Sequence, residues 1–146
     1  MYNAVMYVKI EYIKTIYTKF IYYYEMDPIK CFTDASYSQH KNLSTIGYKI
    51  GGSNIFLENL LHVKNTQAEL YAIKKCIEVF NNRHPGLNAI IFTDCQRALK
   101  DSYPLNISVQ KIDGHKQKIY KNDDDIVFST VDKAVRKRLR SSGPLN

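Results

Sequence analysis

Apolar and polar positions fall into short blocks along this chain, and their period changes from block to block. Residues 29–37 (IKCFTDASY) are an apolar run that meets a polar cluster, which predicts a strand with Asp34 at its C-terminal end. Residues 45–50 (TIGYKI) and 55–61 (IFLENLL) predict two more strands, and Gly51-Gly52-Ser53-Asn54 between them is turn chemistry, so 45–61 reads as a hairpin. The period then lengthens. Leu70, Ile73, Ile77 and Phe80 lie at i, i+3, i+7 and i+10, which predicts a helix over 66–82 that ends at His84-Pro85-Gly86. Residues 89–94 (AIIFTD) form a continuous apolar run closed by an acid, as in a buried parallel strand. A short helix over 95–101, a fifth strand over 107–112 (ISVQKI), a polar stretch from 113 to 125 and a basic helix over about 129–141 complete the pattern. Strands joined by short turns pair antiparallel, and strands separated by helices pair parallel through right-handed crossovers. The expectation is an α/β domain with a mixed five-stranded sheet, three antiparallel strands and then two parallel ones, flanked by helices.

Residues 1–25 break this pattern. Seven of the twelve tyrosines lie there, five of them at steps of five (Tyr2, Tyr7, Tyr12, Tyr17, Tyr22), and Lys9, Lys14 and Lys19 follow the same step. Such a step matches neither a helix face nor a strand face cleanly. Charges interrupt any signal-like apolar core, and without Arg the segment is unlike a mitochondrial transit peptide. It reads either as an appendage or as an added edge strand or helix packed on the domain. The division expected is an appendage over 1–25, a domain over 26–142 and a tail over 143–146.

Composition narrows the class. A chain of 146 residues that is 45% hydrophobic and 24% charged is one globular domain, not a disordered or collagen-like segment. The net charge is +7, and the first 25 residues contribute only three Lys against two Glu, so the domain itself is basic and suits a polyanion. Cys31, Cys76 and Cys95 form no CxxC pair, which excludes a disulfide scaffold or structural zinc site and points to a reducing, cytoplasmic compartment. The apolar run Phe20–Tyr24 is too short to span a bilayer, so no membrane partner is expected.

Four acids fall at element ends in this reading: Asp34 after the first strand, Glu69 in the first turn of the main helix, Asp94 after the fourth strand and Asp132 at the start of the last helix. Each also has a plain structural reading. Thr66-x-x-Glu69 is a capping-box pattern, Ser129-x-x-Asp132 places an acid at a helix N-terminus, and Asp34 and Asp94 suit strand exits. Jointly they would gather at the crevice beyond the strand ends, where sites form in open α/β sheets. Clustered carboxylates repel and are costly to desolvate unless cations hold them, and two hard divalent ions clamp the attacking and leaving oxygens of a phosphodiester displacement. The last helix carries Lys133, Arg136, Lys137, Arg138 and Arg140, which read either as phosphate contacts or as a solvated face.

FTDAS (32–36), NTQAEL (65–70), IFTDCQRAL (91–99), DGH (113–115) and VDKAVRKRL (131–139), in that order and element context, resemble the type 1 ribonuclease H family over residues 28–140. The resemblance implies a ribonuclease H-like fold and a monomeric endonuclease that hydrolyses the RNA strand of RNA–DNA hybrids, leaving 5′-phosphate and 3′-hydroxyl ends. It implies two Mg²⁺ or Mn²⁺ ions on Asp34, Glu69, Asp94 and Asp132, and a loop His115 that assists proton transfer or product release. It also implies Asn65 and Gln96 against the hybrid minor groove, where 2′-hydroxyls mark RNA. The chain departs from the family pattern in three ways. Ala35 stands in place of a glycine, the stretch from His115 to Asp132 is longer and holds Asp123-Asp124-Asp125, any of which competes as a ligand, and an inserted basic helix is missing. Two rival functions stay open: a resolvase- or integrase-like enzyme acting on DNA, and a non-catalytic nucleic-acid-binding module. Asn65 and Gln96 weigh against the first, and the four intact acids against the second.

Overall fold

The computed structural model describes residues 4–143, and only the backbone over 20–25. Tyr2 and most of the expected tail therefore lie outside the described residues. The elements in chain order are α1 (Ala4–Glu25), β1 (Ile29–Ser38), β2 (Leu43–Ile50), β3 (Phe56–Leu61), α2 (Asn65–Arg83), β4 (Ala89–Thr93), a 3-10 helix (Gln96–Lys100), β5 (Ile107–Lys111), a second 3-10 turn (Lys118–Tyr120) and α3 (Asp123–Ser141). The sheet order is β3-β2-β1-β4-β5. β1–β2 and β2–β3 pair antiparallel, and β1–β4 and β4–β5 pair parallel, as the sequence pattern predicts.

The two helices of the domain cover opposite faces of the sheet. On one face α2 buries Ile73, Cys76 and Phe80 against Cys31, Ile50 and Ile91. Its stripe is turned slightly from the predicted one. Ala68, Ala72 and Cys76 are fully buried while Leu70 and Ile77 are only half-buried, because small side chains let the helix axis approach the strands. On the other face α3 buries Phe128, Val131 and Val135 on Phe32 and Ile112. Gly47 in β2 makes this contact possible, since a Cβ there would stand 2.5 Å from Val135 Cγ2.

α3 starts six residues before the predicted boundary. Asn122 accepts the Asp125 N–H and Asp125 accepts the Asn122 N–H, each at 2.9 Å, a reciprocal capping box. The acidic run 123–125, read as loop because of its polarity, is thus the first turn of the helix, where acids favour the helix dipole. The far end of α3 is fastened by Lys41, whose ammonium donates to the carbonyls of Leu139 (2.8 Å), Arg140 (3.2 Å) and Ser142 (2.6 Å). Residues 4–25 form a helix whose side chains from Ala4 to Lys19 are exposed. Among the described residues no helix is long and apolar enough to cross a membrane.

Candidate active site

β1 and β4 stay in parallel register up to Phe32 and Phe92, whose rings stack with centroids 5.2 Å apart. Two residues further along each chain stand Asp34 and Asp94. β4 has ended there, and Thr93 Oγ1 accepts the Cys95 N–H at 3.1 Å, which fixes the turn that presents Asp94. β1 instead continues to Ser38 paired with β2, so Asp34 lies inside the strand, opposite Gly47, and not at its end as expected. What opens the crevice is the loss of the parallel neighbour, not the end of β1.

Glu69 arrives from α2 on the opposite face. α2 starts at Asn65 behind Lys64, which makes no side-chain cap, so Glu69 sits in the second turn and the capping-box reading of Thr66-x-x-Glu69 does not hold. One carboxylate oxygen from each of Asp34, Glu69 and Asp94 lies within 4.8 Å of the others. Asp132 comes from the middle of α3, not its start. It lines the same depression of about 280 Å³, and its Oδ1 forms an ion pair with Arg136 Nε at 3.0 Å. Asp132, like Asp94, is half-buried, and although Arg136 pairs with it, it lies close enough to the triad to raise Asp34, Glu69 and Asp94.

The electrostatics follow from this packing. Burial, the Glu69 charge, a side-chain interaction with Asp132 and the charges of Asp94 and Asp132 push Asp34 up to about 9. Burial and the Asp94 charge push Glu69 up to about 8, against a lowering contribution from the Ala35 backbone N–H. Asp94 is raised as well, first by burial and then by Asp132. Asp34 Oδ2 and Glu69 Oε2 are buried with no hydrogen-bond partner. Buried carboxylate oxygens without donors are costly, and a cation satisfies both while reversing the repulsion. The donor set is all hard oxygen, which fits Mg²⁺ or Mn²⁺ and not a soft thiophilic metal.

The other sequence candidates converge on the same end of the sheet. His115 and Arg136 line the depression with the acids, and Asn65 at the start of α2 borders it. Gln96 lines an adjoining depression of about 320 Å³ that shares Asn65, Glu69 and Asp94 and adds Arg97. Asp124 and Asp125 are engaged away from the triad. Asp124 pairs with Lys30 at 3.0 Å, and Asp125 pairs with Lys116 at 3.1 Å while capping α3. Ala35 packs with Ile46, Ala68 and Ala72 beneath α2, so the core absorbs the methyl that replaces the family glycine.

Sequence reasoning overlooked Gly114, Ser36 and Tyr37. A Cβ at Gly114 would meet Asp94 Oδ2 at 2.8 Å, so a larger residue there would push the Asp94 carboxylate from its place. The signal was present in DGH, where attention went to the histidine. Ser36 and Tyr37 line the depression because β1 outruns β4. Another cavity, of about 510 Å³ between Leu70, Ile77 and Tyr103, lies elsewhere and has Asp101 as the one acid in its lining.

No family model and no curated protein matches the chain. Solved structures do match it. The protease-reverse transcriptase of prototype foamy virus superposes with a TM-score of 0.58 at 16% identity, covering 79% of this chain and 21% of that one. The LC11 ribonuclease H1, solved in complex with an RNA/DNA hybrid, superposes with a TM-score of 0.53 at 13% identity, covering 76% of this chain and 99% of that one. The chain thus spans about a fifth of the viral protein's length and nearly all of the ribonuclease's. At such identities the likeness is one of architecture. Sheet order, flanking helices and these superpositions together give the chain a ribonuclease H-like fold.

Proposed function

We propose that the chain is a metal-dependent endonuclease that hydrolyses the RNA strand of RNA–DNA hybrids and leaves 5′-phosphate and 3′-hydroxyl ends. One observation carries the reading: three carboxylates within 4.8 Å of one another at the end of the sheet, two of them with a buried oxygen that has no donor. A pair of Mg²⁺ or Mn²⁺ ions, when bound, would supply an activated water and charge stabilisation at the leaving oxygen. Asp34, Glu69 and Asp94 would hold them, with Asp132 adjusting the outer edge.

The rest of the work falls to the chain itself. His115, at the mouth of the depression, is placed to take or give a proton at the departing end of the product. Asn65 and Gln96 border two adjoining hollows, where their amides can meet sugar hydroxyls and base edges in a minor groove. Arg136 and the exposed Lys137, Arg138 and Arg140 contact phosphates, which contributes affinity but no sequence information. The three free cysteines suit a reducing compartment such as the cytoplasm, and we take the working unit to be a monomer.

The test is cleavage of an end-labelled RNA–DNA hybrid by the purified chain with Mg²⁺ or Mn²⁺, alongside duplex DNA, branched DNA and single-stranded RNA. RNA-strand cleavage that vanishes in Asp94→Asn is the expected result. Preference for either DNA substrate would replace this reading with a DNA-directed enzyme, and tight hybrid binding with no turnover would replace it with a binding module.

A further inference from the structure

Residues 113–122 are longer than a simple connection between β5 and α3 requires, and they are pinned at three points. At the near end Gly114 lies against Asp94, and the His115 N–H donates to Asp113 Oδ1 at 2.9 Å. Directly after His115, Lys116 donates to Asp125 Oδ2 at 3.1 Å. At the far end Lys121 donates to Ser129 Oγ at 2.6 Å, and that hydroxyl donates back to the Asp125 carbonyl at 2.9 Å.

Asp125 is the common anchor. Only 4% of its side chain is exposed, and the same Oδ2 that receives Lys116 also receives the Asn122 N–H at 2.9 Å. One buried carboxylate therefore holds the loop that carries His115 and caps the helix that carries Asp132 seven residues on. Seven residues are two helical turns, so the anchor fixes the height and rotation of α3 near the site.

We propose that Lys116 and Asp125 are positioning residues of the candidate active site: their ion pair holds His115 at the mouth of the carboxylate depression. The inference rests on the nuclease reading above. Asp125 is buried while Lys116 is part-exposed, so the pair contributes little to stability in its own right, but it fixes where the chain beside His115 can lie. His115 is strung between Gly114 on Asp94 and Lys116 on Asp125, with no slack of even one residue on either side.

The experiment uses the full chain and Lys116→Met, with Lys116→Arg as the conservative variant. On hybrid substrate, Lys116→Met is expected to lower kcat about tenfold with KM within about twofold. Lys116→Arg should restore most of the rate. In a His115→Ala background, Lys116→Met should have no further effect, since its influence passes through His115. Hydrogen exchange of residues 113–117 should quicken in Lys116→Met while that of α2 is unchanged. Unchanged kcat, full additivity with His115→Ala, or unchanged exchange at 113–117 would each overturn the proposal. If the unmodified chain cleaves nothing, the nuclease reading fails, and the exchange measurement still decides whether the pair holds the loop.

Discussion

α2 and α3 lie on opposite faces of one sheet and bring an acid to the same end of it, yet they do so under different conditions. α2 rests on Ala68, Ala72 and Cys76 together with Ile73 and Phe80, has no side-chain cap, and delivers Glu69 into a buried place with one oxygen unsatisfied. α3 rests on two valines over a glycine, is capped at its start, and delivers Asp132 to a more open place where Arg136 already meets it. The first arrangement holds a charge in waiting and the second a charge already answered. A cation is therefore worth far more to Glu69 than to Asp132, and the two acids should not be equal ligands.

Substitution of the two acids is the sharpest way to break this comparison. Glu69→Gln should reduce hybrid cleavage by roughly 100- to 1000-fold, and Asp132→Asn by roughly tenfold, in steady-state assays at millimolar Mg²⁺. The reverse order would mean that α3 and not α2 supplies the tighter ligand. The packing contrast can be tested without activity. Gly47→Val forces side-chain atoms into Val135, and should cost about 2–3 kcal/mol in urea unfolding. Ala72→Leu on the other face should cost about as much, since neither helix has room to retreat.

Acid–base behaviour gives a third test. Asp34 and Glu69, at about 9 and about 8, hold protons in the folded state that the unfolded chain sheds near pH 4. Their contribution to stability is fully present below the unfolded values and is lost as pH rises through 8 and 9. With EDTA present, Tm should fall by several degrees between pH 6 and 9; excess Mg²⁺ should remove the fall, and Glu69→Gln should blunt it. The smallest effect belongs to Arg136→Met. Its exposed pair with Asp132 is worth under about 1 kcal/mol, so stability should barely move and the rate should drop two- to fivefold through lost phosphate contact. A larger stability loss there would show Asp132 to be as constrained as Glu69.

The strand directions were readable because hydrophobic period and connection length leave few alternatives, and the 89–94 run suits a buried parallel strand. The acids were readable as a group because Asp34 and Asp94 close apolar strand runs while Glu69 and Asp132 fall near the starts of the predicted helices. Less was readable where polarity misleads. Asp123-Asp124-Asp125 looked like loop, although Asn122 three residues ahead of Asp125 is a capping pattern, and that oversight put Asp132 at a helix start instead of its middle. Thr66-x-x-Glu69 looked like a cap although the helix had begun one residue earlier, which frees Glu69 to face the site. Gly114 could not be valued from sequence, since its role depends on how near the loop passes to Asp94.

Lys41 reaches from the β1–β2 turn to collect three carbonyls at the exit of α3, while Asn122 closes the entrance. A rod gripped at both tips cannot unwind from a free end, so unravelling of α3 must wait for the turn that holds Lys41 to let go. A protease that nicks the chain between Gln39 and Asn42 would do more than open a surface turn. It would loosen the C-terminal helix from almost a hundred residues away in sequence, and Asp132 with it.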